Sequence, residues 1–176
     1  MRRGNMKGKL KGKVWKFGDN VNTDLMCPGP AMRLPVDQIG QAAMSGIDPD
    51  FHKKISKGDI IVAGKNFGSG SSRELAPLAL QKAGIGGVVA GYYARIFYRN
   101  CIAIGFPIIE CEEAVDRVDE GDELEIDLIN GKIRNLTKDE EYAGTAYPAE
   151  FLEIFQAGGI IPWIKERGID SLNQKE

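Results

Sequence analysis

Short apolar runs alternating with helix-like segments constrain this fold most. Asp59-Ile60-Ile61-Val62-Ala63, Gly87-Val88-Val89-Ala90-Gly91 and Pro107-Ile108-Ile109-Glu110-Cys111 each read as a strand. Between them, Leu78 to Ala83 continues a helix that Gly84 stops. Ala94 to Ile104 sets Ile96, Phe97, Cys101 and Ile104 at near-helical spacing before Gly105. Leu10 to Phe17 reads as a further strand, ended by a turn at Gly18-Asp19-Asn20. Leu124-Glu125-Ile126-Asp127-Leu128 and Lys132-Ile133-Arg134-Asn135-Leu136 alternate strictly around Asn130-Gly131, which predicts a hairpin. The stretch from Asn22 to Pro35 holds Pro28, Gly29, Pro30 and Pro35, and is expected to be a shaped loop. Val36 to Ser45 is expected to be a short helix. Ala149 to Gln156 predicts a helix ended by Gly158-Gly159, and Ile161 to Arg167 a last helical turn or two. Strand–helix–strand–helix flanked by hairpins implies an α/β chain, a mixed sheet with packed helices and a C-terminal hairpin. At 176 residues one domain is expected. The boundaries expected are a basic flexible arm over 1–8, the domain over 9–168 and a tail over 169–176.

The run Gly68-Ser69-Gly70-Ser71-Ser72-Arg73-Glu74 follows the second strand and carries the candidate chemistry. Its glycines let the backbone take φ > 0 and let a ligand approach the main chain. Ser71 and Glu74 have the spacing of a capping box, which predicts a helix start; a helix mouth favours anions. Arg73 lies between the capping partners, where capping has no use for it, and offers a planar fork for a carboxylate. Pro77 conflicts with a helix beginning at Ser71. Either that helix bends, or Ser71 to Glu74 form a loop or a short 3₁₀ turn before it. The picture is a small acidic substrate held beside a serine oxygen.

Other features exclude other classes. Six of the 23 basic side chains fall in residues 1–13 with no acid among them, leaving 17 against 25 acids in the remainder. A basic arm on an acidic body can touch nucleic acid, but no recognition motif accompanies it and no such partner is expected. No stretch approaches the roughly 20 apolar residues of a membrane span. Cys27, Cys101 and Cys111 have no metal-ligand spacing and read as packing residues in a reducing cytoplasm, the expected location. They leave no means of holding an iron–sulfur cluster or structural zinc. His52, the one histidine, stands in a polar stretch before Lys53-Lys54 and is expected at the surface. The glycine pattern matches neither nucleotide-binding fingerprint, and no Ser-His-Asp triad can be assembled.

Four ordered blocks carry a family resemblance. They are Trp15-Lys16-Phe17-Gly18-Asp19-Asn20-Val21-Asn22-Thr23-Asp24, Gly58-Asp59-Ile60-Ile61-Val62-Ala63-Gly64-Lys65-Asn66-Phe67-Gly68, Gly70-Ser71-Ser72-Arg73-Glu74, and Ala94-Arg95-Ile96-Phe97-Tyr98-Arg99-Asn100. From about Lys9 to Pro162 the chain resembles the small subunits of 3-isopropylmalate dehydratase and homoaconitase, equivalent to the swivelling domain of aconitase. The resemblance implies a swivelling β/β/α-type domain. It also implies a hydro-lyase acting only with a large subunit, as heterodimer or heterotetramer, that holds a [4Fe–4S] cluster as Lewis acid. By the family motif, Ser71 is the base that removes a proton from the carbon beside a carboxylate. Arg73 steadies its alkoxide and clamps a carboxylate, and Ser72 and Gly70 share in binding the substrate. The net reaction isomerises a 2-substituted malate by dehydration and rehydration, 3-isopropylmalate being the expected substrate on the route to leucine.

Two positions and one loop depart from the family pattern. Ser69 stands where Cys is usual, and Leu75 where His or Gln is usual, which removes a polar group beside the motif. In Ala31-Met32-Arg33-Leu34, Arg33 matches the homoaconitase branch and favours an additional carboxylate on the substrate, while Met32 and Leu34 favour an apolar one. Arg33 facing the partner subunit or solvent is the alternative. A homoaconitase-type or other 2-alkylmalate dehydratase, and a non-catalytic anion-binding module of the same fold, are the rival functions.

Overall fold

The computed structural model describes residues 8–72 and 74–167, the side chain of Met32 excepted. Expectations for residues 1–7, Arg73 and 168–176 lie outside the described residues.

Two kinds of strand meet at β1 (Lys9–Phe17). Its C-terminal half pairs in parallel with β2 (Ile60–Ala63), from Val14↔Ile60 to Phe17↔Ala63. Its N-terminal half pairs antiparallel with β5 (Glu123–Asp127), from Lys9↔Asp127 to Lys13↔Glu123. β3 (Gly87–Ala90) and β4 (Ile108–Glu110) extend the parallel side. β6 (Lys132–Asn135) and β7 (Glu140–Ala143) extend the antiparallel side, and the spatial order is β4-β3-β2-β1-β5-β6-β7. This is the expected mixed sheet. The β5–β6 hairpin forms as expected, with Asp127 paired to Lys132, so Leu128 leaves the strand and the loop is residues 128–131.

The division follows the residue pattern. Strands β2 and β3 are apolar throughout and buried at every position, as strands covered on both faces must be. β5 and β6 alternate buried and more exposed residues, the mark of a sheet with one wet face. Lys9 and Lys11 face Glu125 and Glu123 at 3.8 and 3.3 Å across β1 and β5. These two members of the basic N-terminal run thus already sit beside carboxylates.

Helix α3 (Leu75–Ala83) joins β2 to β3, and α4 (Arg95–Ile104) joins β3 to β4; the two helices pack on each other. α5 (Glu112–Arg117) follows β4, and α6 (Ala149–Ala157) with α7 (Ile160–Arg167) packs against α4. Two expectations are corrected here. The stretch from Asn22 to Pro35 contains one turn of α1 (Thr23–Met26), capped by Asn22 Oδ1, and a 3₁₀ turn Gly29–Arg33 that places Pro30 where no N–H is needed. The helix expected over Val36 to Ser45 shrinks to a 3₁₀ turn, Ile39–Ala42. Met44 turns to φ 55, and the N–H groups of Met44 and Gly46 donate to the carbonyls of Met26 and Leu25 instead. Tertiary bonds to α1 outweigh local helical preference. A last short helix, α2 (Phe51–Lys54), was not foreseen. It seats Phe51 edge-on to Trp15 and Phe17. His52, on the same turn, is half-buried rather than solvated, with Nδ1 shielded and lacking a hydrogen-bond partner.

Asp122 ties the loop before β5 to β6. Burial opposes its ionisation, but bonds from Asp119 N–H (2.9 Å) and Asn135 Nδ2 (2.7 Å), with Lys138 nearby, win and hold its carboxyl below the usual range. A carboxyl whose pKa is lower folded than unfolded contributes stability above its unfolded value, and that contribution is lost as pH falls through the folded value. The denaturation midpoint of the wild type should therefore decline as pH drops below about 4. Asp122→Asn should lower the midpoint at pH 7 and flatten that decline, as urea titrations across pH 2–7 would measure.

Candidate active site

The site is built where the parallel strands end. The loop of residues 64–72, which leaves β2, is bonded on one side to the segment leaving β1. Gly64 N–H donates to Gly18 carbonyl (3.1 Å) and Lys65 N–H to Asp19 Oδ1 (2.7 Å). Asn20 N–H donates to Lys65 carbonyl, Gly68 N–H to Val21 carbonyl, and Thr23 N–H to Ser69 carbonyl, each at 2.8 Å. On the other side it is bonded to the segment leaving β3. Phe67 N–H donates to Tyr92 carbonyl (3.2 Å) and Ala94 N–H to Phe67 carbonyl (2.9 Å). Parallel bridges Asn22↔Ser69 and Phe67↔Tyr93 continue the ladder past the strand ends.

Beneath this loop lie three aromatic rings. Phe67 meets Phe97 edge-on at 5.4 Å, and Tyr93 stacks on Phe97 at 6.1 Å. The Tyr93 hydroxyl donates to Val88 carbonyl (2.7 Å) and accepts from Ile109 N–H (3.3 Å), while burial pushes its pKa well up. Gly68 rests on this floor at φ 81, and a Cβ there would stand 2.1 Å from Phe97 Cγ. Gly70 takes φ 110 and passes Thr23, whose Oγ1 would be 3.0 Å from an added Cβ. Only glycine meets both demands at position 68.

Ser71 is half-buried and Ser72 exposed. Neither is helical: α3 begins at Leu75, so Ser71 is not its N-cap. The expected capping box is thus corrected in favour of the loop alternative. Pro77 is the third residue of α3, ahead of the first helical donor, Leu78 N–H to Glu74 carbonyl, so its missing N–H costs nothing. Ser71 N–H is instead held by Thr23 Oγ1 at 3.1 Å. Asn100 Nδ2, on α4, donates to the Ser72 carbonyl at 3.2 Å. Leu75 packs against the core, and the loop is supported by Thr23 and Asn100 rather than by a polar group at 75. Arg33 is exposed at the end of its 3₁₀ turn, between Ala31 and Leu34, which lean on the core. Arg73 lies outside the described residues.

A cavity of about 530 Å³ opens beside the loop, lined by Gly68, Gly70, Ala94, Arg95, Ile96 and Arg99. The sequence reading assigned no role to Thr23, Asn100, Arg95 or Arg99, although all four stand inside the quoted motif blocks.

This chain's residues do not fit an iron–sulfur cluster. Cys27, Cys101 and Cys111 are buried and form no disulfide among the described residues, and burial pushes the Cys101 and Cys111 thiols up, away from the thiolate a cluster needs. Among the described residues no three His, Cys, Asp or Glu side chains are placed to hold a metal ion. No helix among them is long and apolar enough to cross a membrane.

The family described as the aconitase C-terminal domain matches residues 33–114. The isopropylmalate/citramalate isomerase small subunit of Methanocaldococcus jannaschii is 50% identical over 167 residues, covering 94% of this chain and 99% of that protein. The 3-isopropylmalate dehydratase small subunit of Clostridium beijerinckii is 51% identical over 159 residues, 90% of this chain and 99% of that one. A crystal structure of 3-isopropylmalate dehydratase from Methanocaldococcus jannaschii superposes with a TM-score of 0.86 at 39% identity, over 95% and 99% of the two chains. The chain belongs to the 3-isopropylmalate dehydratase small-subunit family of aconitase-type hydro-lyases.

Thr23 is 2% exposed, and removing its hydroxyl would take away the buried acceptor of the Ser71 N–H. Thr23→Val should cost about 1–3 kcal/mol in chemical denaturation, whereas Thr23→Ser should stay near the wild type.

Proposed function

We propose that the chain is the catalytic small subunit of a two-subunit hydro-lyase that isomerises 3-isopropylmalate, with Ser71 as its base. The observation that carries this reading is where Ser71 stands. It is half-exposed, on a loop bonded to both neighbouring strand extensions, next to an open cavity. A base must be held within hydrogen-bond reach of the carbon acid, and the bonds from Thr23 and Asn100 supply that fixity.

A serine alkoxide needs positive surroundings. The candidates are the exposed backbone around Gly70, which a ligand can approach closely, and the Arg73 guanidinium, which also suits a substrate carboxylate. The start of α3 lies three residues further on than the sequence suggested, so it contributes less than these groups. Ser71 Oγ takes the proton from the carbon beside a carboxylate. The C–H electron pair becomes the new double bond as the neighbouring C–O bond breaks and hydroxide leaves. Returning the proton and hydroxide with positions exchanged completes the isomerisation. A [4Fe–4S] cluster in the large subunit would act as Lewis acid on the departing hydroxyl. Ser72 and Gly70 are assigned to substrate binding, and a reducing cytoplasm fits three buried cysteines outside any disulfide among the described residues.

Co-purified with its large subunit, Ser71→Ala should lose roughly 10² or more in kcat with unchanged assembly. Near-wild-type turnover would exclude Ser71 and favour a non-catalytic binding module.

Arg33 bears on the substrate's variable group. It is exposed, and a 50%-identical relative is named for citramalate as well as isopropylmalate, so a broader 2-alkylmalate range is the second reading. Arg33→Val should shift relative kcat/KM toward branched apolar substrates. Unchanged ratios across 2-alkylmalates and homocitrate would remove that role.

A further inference from the structure

The outer face of α4 has no task in the site described so far. Its inner face carries Phe97, Cys101 and Ile102 into the core, and Asn100 holds the Ser72 carbonyl. Outside, Arg95 and Arg99 are exposed, with Ile96 exposed at 46% and Tyr92, just before the helix, at 47%.

Electrostatics among the described residues do not account for this face. Arg95 and Arg99 are four residues apart on one helix, where like charges repel. They stand in its first two turns, the end that disfavours cations, and no acidic residue occupies the first turn. Arg117, Arg134 and Arg167 each find a carboxylate within 3.5 Å. Arg33, Arg95 and Arg99 are the arginines without such a partner among the described residues. Two guanidinium groups flank exposed aliphatic and aromatic carbon on one helix face, while Arg117, Arg134 and Arg167 are paired.

Resting on the function proposed above, we infer that Tyr92, Arg95, Ile96 and Arg99 form a docking face for the large subunit. The occupant is a surface that offers carboxylates to the two arginines and an apolar hollow to Ile96 and Tyr92. Continuity with the site supports this choice. The cavity that Arg95, Ile96 and Arg99 line is the one bounded by Gly68 and Gly70, so a second polypeptide completing the centre around Ser71 must cover these residues. The mixture of exposed Arg, Tyr and aliphatic surface is also that of an interface core rather than of a solvated helix. A substrate carboxylate is the competing partner for the arginines, but it leaves Tyr92 and Ile96 uncovered.

The test titrates large subunit into the labelled full chain at low and high salt, comparing wild type, the double variant Arg95→Glu/Arg99→Glu, and Ile96→Ala. Thermal melts of each variant alone verify folding. The expected result is roughly tenfold or greater weakening of assembly in the double variant, with loss of the wild type's salt dependence, and a smaller weakening in Ile96→Ala. Wild-type affinity in both variants would overturn the docking face, and a raised KM with intact assembly would assign the arginines to the substrate. Failure of the wild type itself to bind a large subunit would instead sink the functional reading, and the docking face with it.

Discussion

Backbone hydrogen bonds carried beyond the ends of β1, β2 and β3 determine everything at this site. Here Asn22 still pairs with Ser69, and Phe67 with Tyr93. The loop between them therefore has its donors and acceptors engaged on both flanks, and a segment rich in glycine and serine becomes an extension of the sheet rather than a tether. Composition alone suggests flexibility for such a stretch; pairing decides otherwise.

That pairing requires specific neighbours. Gly68 must sit flat on Phe97, and Phe97 must be in α4, so the helix after β3 is part of the loop's foundation. Thr23 must present its oxygen from the single turn of α1, and Asn22 caps that turn. Three parts of the sequence separated by about 25 to 50 residues converge on a few backbone atoms around Ser71. The resemblance blocks fall on these parts, with Thr23 and Asn100 as the residues that tie them together.

Much of the scaffold was legible because it rests on local signals. Apolar runs marked β2, β3 and β4, and Gly84, Gly105 and Gly158 end their helices in left-handed conformations, as their positions predicted. What stayed hidden depends on distant partners. Ser71 and Glu74 have capping-box spacing, but the serine amide is claimed by Thr23, 48 positions earlier. The turn at Ile39–Ala42 is cut short by carbonyls of Leu25 and Met26. Helix α5 is only six residues long and is capped by the sulfur of Cys111, an uncommon cap that residue type does not announce. At the site, the motif named Ser71, Ser72 and Gly70, but the supporting bonds and the lining of Arg95 and Arg99 are products of the tertiary fold.

Stitching at both margins has a kinematic consequence. A serine on a free loop is brought into action by local closure; one fastened to two strand extensions moves only with the whole body of the protein. Under the function proposed above, admission of reactant and escape of product would be governed by how widely the two polypeptides part. Turnover would be paced by a hinge between molecules, not by a flap within one.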